Sequence, residues 1–414
     1  MTSFKLLEML KRVIHADETL KASRVQENAF KRTRKMPFSS ALTFMLDMRK
    51  TTLQTRLNMF FSHNEKGEPM SQQAFSKLRA NFDHTPFTAM LNAIVNEEYS
   101  GKQALPLWNG YHLLGIDGSY LQLPRTEELY REFGRHGHSE QCPSAGISML
   151  FDVLHGWVLD PIITSGKMNE RTECENHMRF LKNTMPHIAK NSVVVLDRGY
   201  PSEELFQTIE AKRLKFLARC KSNYCKKTQE APMGSSIVGL NEGLKIRVFK
   251  FTLPSGEIET LLTNLFEIPD EELPKLYSLR WGVETAYFRF KRELCVEQFS
   301  GKTPNSIRQD FWASMVLLNS VAVFQREADE TVNERQKSKN LKNQYHARTS
   351  DLIITLRDRF VFAVLCGHPK IADFELKRII KTMARAVSPV RPDRAFPRVH
   401  KPFLVANVNL KSHL

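Results

Sequence analysis

Apolar positions change their spacing twice along the chain, and the changes divide it into three parts. Up to about residue 105 they recur three or four apart, as in Leu42, Phe44, Met45, Met48, Leu53, Leu57 and Phe60, which is the spacing of one helical face. From Tyr111 the period shortens. The run Tyr-His-Leu-Leu-Gly-Ile-Asp-Gly-Ser-Tyr-Leu-Gln-Leu-Pro predicts two short strands meeting around residues 117–119, and 146–154 and 157–164 predict two more. A helix over 170–183, a buried-type strand over 192–197, a helix over 202–212 and a strand over 215–220 follow. Antiparallel strands followed by alternating helices and strands describe an α/β fold, a mixed sheet with helices on its faces.

Residues 221–265 interrupt the alternation. Two apolar runs, 245–251 and 257–264, flank Leu-Pro-Ser-Gly as a hairpin, after a loop rich in Gly, Ser and Asn. Beyond Thr303 the helical period returns, most clearly over 307–325. Residues 326–348 are almost wholly polar and read as an exposed helix end or a loop. The tail from Pro389 carries Arg391, Arg394, Arg398 and Lys401 among prolines and reads as extended and basic. The expected organisation is a helical region over 1–105, a mixed-sheet domain over 106–303 with a β-rich insertion at about 221–265, and a helical region with a basic tail over 304–414.

Charge changes this picture more than composition does. The chain has 414 residues, with 60 Lys+Arg against 45 Asp+Glu, a formal net charge of +15. Such an excess favours a polyanionic partner, nucleic acid or an anionic membrane surface. No apolar run is long enough to span a bilayer, and the first residues lack the pattern of a signal peptide. A cytoplasmic nucleic-acid binder without membrane association is expected. The six cysteines are scattered, without the paired spacing of a zinc site, and read as free thiols. His136 and His138 read as surface-loop residues.

Candidate contacts to nucleic acid lie in the first part. Ser71 is placed to cap a short helix that turns Ala74, Phe75 and Leu78 inward and Gln72, Gln73, Ser76, Lys77 and Arg79 outward. That outward set can meet phosphates and base edges. An ordinary surface helix would look the same. Lys31, Arg32, Arg34 and Lys35 form a basic run suited to the DNA backbone.

Candidate chemistry lies in the second part. Tyr277, Arg280, Glu284 and Lys291 fall within roughly 60° of one helical face. A carboxylate flanked by an Arg, a Lys and a phenol suits metal-assisted work on a phosphodiester. A solvated face with an Arg280–Glu284 pair is the plainer reading. Asp117 and Asp197 each close an apolar strand, where a carboxylate suits a site better than a core. If those strands are neighbours, a divalent cation relieves the repulsion between them. Arg198 and Tyr200 flank Asp197, and Asp152 is the second choice for the first acid. Trp281 reads as a packing residue.

In this order the motifs resemble those of the DDE transposases of bacterial insertion sequences, specifically the insertion-sequence-4 family. Its mark, Tyr-x2-Arg-x3-Glu-x6-Lys, is matched without a gap by Tyr277, Arg280, Glu284 and Lys291. Ile-Asp-Gly-Ser at 116–119, Leu-Asp-Arg-Gly-Tyr at 196–200, Asn-Glu-Arg at 169–171 and Ser-Gln-Gln-Ala-Phe-Ser-Lys at 71–77 extend the likeness over about 35 to 325. The resemblance implies an RNase H-like catalytic core, with Asp117, Asp197 and Glu284 as catalytic and metal-binding triad for Mg²⁺, or Mn²⁺ in its place. It implies cleavage at terminal inverted repeats and attack of the freed 3′-hydroxyl on target DNA, by a homodimer associated with the nucleoid. Tyr277, Arg280, Lys291 and Arg198 would contact DNA at the cut, and Gln72, Gln73 and Lys77 elsewhere. Relatives use a Trp in the insertion to hold a flipped base. No Trp occurs here between Trp157 and Trp281, which leaves Phe249, Phe251 and Phe266 as the aromatic candidates. An RNase H-like nuclease without strand transfer and a catalytically silent DNA binder are the alternatives.

Overall fold

In a computed structural model of the chain, residues 1–390 are described apart from 33–34, 48, 64–66, 101–104, 137–141, 222, 241–242, 338, 340–342 and 366–367. Arg34, His138, Cys366 and the basic tail from Arg391 therefore lie outside the described residues.

Eight strands form one sheet: β1 (His112–Gln122), β2 (Ser144–Asp152), β3 (Trp157–Ser165), β4 (Ser192–Leu196), β5 (Lys215–Arg219), β6 (Gly234–Gly239), β7 (Lys245–Thr252) and β8 (Ile258–Thr263), in the order β3-β2-β1-β4-β5-β8-β7-β6. β1, β4 and β5 run parallel. β2 and β3 add antiparallel on one side, and β8, β7 and β6 on the other. The parallel centre reads as continuous apolar sequence because both faces are covered. All five residues of β4 are buried.

Three sequence expectations are corrected here. The residues around Asp117 do not join two short strands; they lie inside the single eleven-residue β1, held straight by nine consecutive pairings with β2. The Gly/Ser-rich stretch before the hairpin is not all loop. Gly234–Gly239 pairs with β7 as an edge strand, and the insertion is a three-stranded extension of the main sheet. Its poor apolar content suits an edge, where one side has no partner strand. The polar stretch after residue 325 is the expected helix end as far as Gln336, but it is not wholly exposed, because Ala328 and Val332 bury one stripe of the helix Pro304–Gln336.

Helices enclose the sheet. Those of the first part, including Ser3–His15, Phe38–Met45, Leu53–His63, Gln72–Arg79 and Thr85–Ser100, share one apolar cluster with the sheet and the long helix Pro304–Gln336. Polar bonds reinforce this packing. Glu98 pairs with Arg326 and with the N-terminal amine. Arg79 donates to Gln309 (2.8 Å), Ser300 (2.7 Å) and Asp310 (2.9 Å). Arg79 was expected to face outward with the contact set, but it is buried in this clamp, while Ala74, expected inward, is exposed. Gln72, Gln73, Ser76 and Lys77 are exposed, Phe75 is buried, and the Ser71 hydroxyl accepts from the Ala74 amide.

Candidate active site

Asp117 and Asp197 come together through strand register. β1 and β4 pair in parallel with Gly115 opposite Val195. Two residues further along each chain stand the two aspartates, so their carboxylates emerge at one level of the sheet. Asp117 shares its face of β1 with Gly115 and Ser119, since side chains alternate along a strand.

Glu284 reaches the same place on the helix Trp281–Phe288, and Gly115 is the reason it can. A Cβ on Gly115 would stand 2.3 Å from Val283 Cγ2, so only glycine lets the helix lie this close to β1. Tyr287 fastens the contact: its hydroxyl donates to the Asp117 carbonyl at 2.7 Å. The segment from Tyr277 to Lys291 is helical but not one α-helix. Glu272–Ser278 ends before Trp281–Phe288 begins, and Arg289–Glu293 is a π-helical turn. Such turns recur where a helix re-aims side chains at a site.

Arg280 stands among the three acids. Its guanidinium lies 2.6 Å from Glu284 Oε1, 3.7 Å from Asp117 Oδ2 and 3.8 Å from Asp197 Oδ2. Tyr277 donates its hydroxyl to Asp197 Oδ1 at 3.0 Å and lies under the guanidinium. Burial works against the Arg280 charge, but Tyr277, Asp197, Glu284 and Asp117 outweigh it and raise its pKa. Asp117 is the strained member: burial pushes its carboxyl up to about 6, and Asp197 and Glu170 add repulsion that Arg280 and the Gly118 amide only partly offset.

Asp197 and Glu284, though not Asp117, line a pocket of about 460 Å³ together with Arg198, Arg219, Glu257, Tyr277, Ser278, Arg280 and Trp281. Arg198 is exposed on its wall. Trp281 is 57% exposed there, which corrects the expectation that it packs inside. Lys291 sits further along β1, its ammonium donating to Ser119 Oγ at 2.7 Å and to the Tyr120 carbonyl at 2.6 Å. Burial lowers its pKa. Gln72, Gln73 and Lys77 are not among the residues lining this pocket. Phe249 is buried and stacks on Phe251, whereas Phe266 is 46% exposed.

Glu170, which the Asn-Glu-Arg motif marks and which with Arg171 ranks below the triad as a structural pair, stands close to the site, and one further feature has no sequence signal. Glu170, at the first position of the helix Glu170–Thr184, fills the space beside both aspartates. A Cβ on Gly118 would stand 3.1 Å from its Oε1, and one on Gly199 3.1 Å from its Oε2. The glycine in each aspartate motif was the available signal, since a missing side chain marks a close approach. Behind β1, Asp160 bonds His177 (2.8 Å), His177 bonds Ser148 (2.9 Å), and Ser148 donates to the Asp117 carbonyl (3.3 Å). No local pattern marked this buried chain. Asp152, the second choice for the first acid, is fully buried and spends its oxygens on Tyr99, His155 and the amides of the following turn.

Three carboxylates are hard oxygen donors, the kind Mg²⁺ and Mn²⁺ take. Among the described residues no three acid, His or Cys side chains enclose an ion-sized space as they stand. Here the guanidinium lies between the acids, and its Nε and Nη1 are buried without a hydrogen-bond partner. The donor set fits a divalent cation in chemistry, and the residue that separates the donors is itself a cation.

Comparison with known proteins gives the family. The family described as "Transposase DDE domain" matches residues 108–320, which include all three acids. The transposase InsG for insertion sequence element IS4, from Escherichia coli strain K12, is 22% identical over 324 residues, covering 72% of this chain and 69% of that protein. A piggyBac transposase, solved as a synaptic complex with hairpin DNA, shares the fold at a TM-score of 0.50 and 12% identity, over 90% of this chain and 85% of that one. The core is accordingly RNase H-like. No helix among the described residues is long and apolar enough to cross a membrane. The chain belongs to the DDE transposases and is an enzyme that acts on DNA.

Proposed function

We propose that this transposase binds the terminal inverted repeats of its insertion sequence, cleaves DNA at their ends with Mg²⁺, and transfers the freed 3′ end to target DNA. Mn²⁺ substitutes for Mg²⁺. The observation that carries the reading is the meeting of Asp117, Asp197 and Glu284, from two in-register parallel strands and a helix, around one positive charge.

In this reading the three carboxylates hold the divalent ion. Once bound, it supplies an activated oxygen nucleophile at neutral pH and stabilises charge on the leaving oxygen. Tyr277 fixes the orientation of Asp197 through its hydroxyl, and Tyr287 fixes the strand under Asp117. Arg280 and Arg198 receive phosphates at the pocket, where a guanidinium fork suits two phosphate oxygens. Lys291 has three donors; with Ser119 and Tyr120 served, the third is available to a phosphate. Gln72, Gln73 and Lys77 read the repeat from the 1–105 region, residues 106–303 with the insertion at 221–265 perform the chemistry, and 304–414 braces the two. A homodimer pairs the two ends.

The test is cleavage of a labelled duplex carrying the element's own terminal repeat, in Mg²⁺ and in EDTA, with wild type beside Glu284→Ala. Metal-dependent nicking at the repeat boundary, lost in Glu284→Ala while binding survives, is the expected result. Cleavage that survives the substitution removes Glu284 from the triad, and binding without cleavage by wild type removes the catalytic reading.

A further inference from the structure

We infer that Arg280 is the internal cation of the metal-free centre, and that a divalent ion must displace it, which frees its guanidinium for a DNA phosphate. This rests on the reading of Asp117, Asp197 and Glu284 as metal ligands.

The geometry is that of a substitute ion. Asp117, Asp197 and Glu284 come from separate elements and would repel one another, yet one guanidinium lies within 4 Å of all three. Its bonding is poor for a buried Arg. Only Nη2, to Glu284, makes a hydrogen bond within the site, while Nε and Nη1 are buried without a hydrogen-bond partner. Buried donors left unmade are costly, so the guanidinium is held by charge in a place that does not satisfy it. A phosphate would satisfy it better, accepting two parallel N–H bonds from one fork.

Coordination and this arrangement exclude each other. An ion of the Mg²⁺ class holds its oxygens at roughly 2.0–2.1 Å, so its ligands close to about 3 Å from one another, with no room for a guanidinium between them. The acids are open enough to be reached: side-chain exposure is 24% for Asp117, 40% for Asp197 and 28% for Glu284, against 7% for Arg280. Arg280 also stands at the junction of two short helices, just before Trp281–Phe288, and its side chain makes no capping bond to that helix. The exposed Arg198 and Trp281 flank the space into which it would turn. Glu284 would then be a ligand of the ion instead of the partner of Arg280, and the freed guanidinium would be available to a phosphate.

The opposite possibility is that Arg280 is a permanent brace that gathers the acids for the ion. The two differ in sign. We would titrate the EDTA-stripped full-length chain with Mn²⁺ by calorimetry, without DNA, for wild type, Arg280→Gln, Arg280→Lys and Asp117→Asn. Removing a competing positive charge this close should tighten Mn²⁺ binding about tenfold or more in Arg280→Gln. Arg280→Lys keeps the charge but not the fork, and should tighten binding by a smaller factor; it carries the test if Arg280→Gln does not fold. Asp117→Asn should weaken binding in either background. If both Arg280 variants bind Mn²⁺ no better than wild type while Asp117→Asn still weakens it, the exchange is wrong and the triad stands. If Asp117→Asn leaves Mn²⁺ binding unchanged, the triad falls and the exchange with it.

Discussion

Asp117 and Asp197 stand level with each other because Gly115 pairs with Val195 two residues earlier in the parallel strands β1 and β4. The pairing places two negative charges side by side, and burial makes Asp117 the one that resists ionisation, with its carboxyl pushed up to about 6. Above that pH the fold carries an ionised group against its preference, at a cost to stability. Asp117→Asn should therefore stabilise the metal-free protein at pH 7.5 by about 1–2 kcal/mol, after allowing for partial exposure, while abolishing cleavage. Chemical denaturation in EDTA measures the first effect and the duplex assay the second. An unchanged or lowered stability would mean that Arg280 fully neutralises the pair.

Gly115 sets the distance between β1 and the helix that carries Glu284. Since a Cβ there would meet Val283 Cγ2 at 2.3 Å, Gly115→Ala should cost about 1–3 kcal/mol by overpacking and should reduce cleavage far more than DNA binding. Adding Val283→Ala removes the offending methyl groups and should restore much of both. A double-mutant cycle in urea, read beside cleavage rates, checks this. Strict additivity would show that the two residues do not meet.

Arg79 and Asp310 join the helix Gln72–Arg79 to the long C-terminal helix through a buried ion pair. Arg79→Ala should cost about 3–5 kcal/mol, because it leaves an uncompensated buried carboxylate, and Asp310→Asn should cost less. Burial opposes the Asp310 charge, but Arg79 and Ser300 overcome it and hold the carboxyl below its ordinary value of 3.8. Glu98 is likewise held below 4.5, chiefly by Arg326 and the N-terminal amine acting against burial. For acids with depressed pKa values, the stability they add is present above the unfolded value and lost as pH falls through the folded one. Both clamps should hold at pH 5 and fail only below about pH 4. Urea midpoints taken from pH 6 down to pH 3 test this, and a loss already complete at pH 5 would contradict it.

Net charge of +15 and the exposed set Gln72, Gln73 and Lys77 make different predictions for DNA binding. Contact with roughly 6–10 phosphates should reduce affinity about 10³–10⁵-fold between low and moderate salt. Lys77→Ala should reduce the slope of log affinity against log salt by about one, whereas Gln72→Ala and Gln73→Ala should relax sequence preference and leave the slope unchanged. Fluorescence anisotropy with repeat and scrambled duplexes separates the two. Equal effects on both duplexes from all three variants would place this helix on the backbone alone.

Much of the site was legible because its chemistry is written locally. The apolar run of β4 announced a covered strand, the Asp197 motif marked the end of it, and the spacing of Tyr277, Arg280, Glu284 and Lys291 put four polar side chains on one helical stretch, whereas Asp117, expected at a strand end, lies inside β1. The glycines of Ile-Asp-Gly-Ser and Leu-Asp-Arg-Gly-Tyr could have been read as space for another group, and the Asn-Glu-Arg motif named Glu170, but nothing local said that the two belong together. Periodicity says which face of an element is apolar. It does not say which neighbour covers it, or how far away in the chain that neighbour lies.

Those matters were decided by tertiary structure. Arg79 looked like a surface residue until Asp310, 231 positions later, supplied its counter-charge. Gly234–Gly239 lacked the composition of a strand and became one because β7 offered it an edge. Lys291 shares a helical face with Glu284 in an ideal α-helix, but the π-helical turn at Arg289–Glu293 brings its ammonium to β1 instead. The amino-acid sequence by itself pointed to Asp117, Asp197 and Glu284 as candidates and determined the basic charge of the whole. The register of β1 against β4, the approach of Val283 to Gly115 and the position of Arg280 among the acids belong to the folded chain, because each depends on surfaces that meet only when distant segments pack.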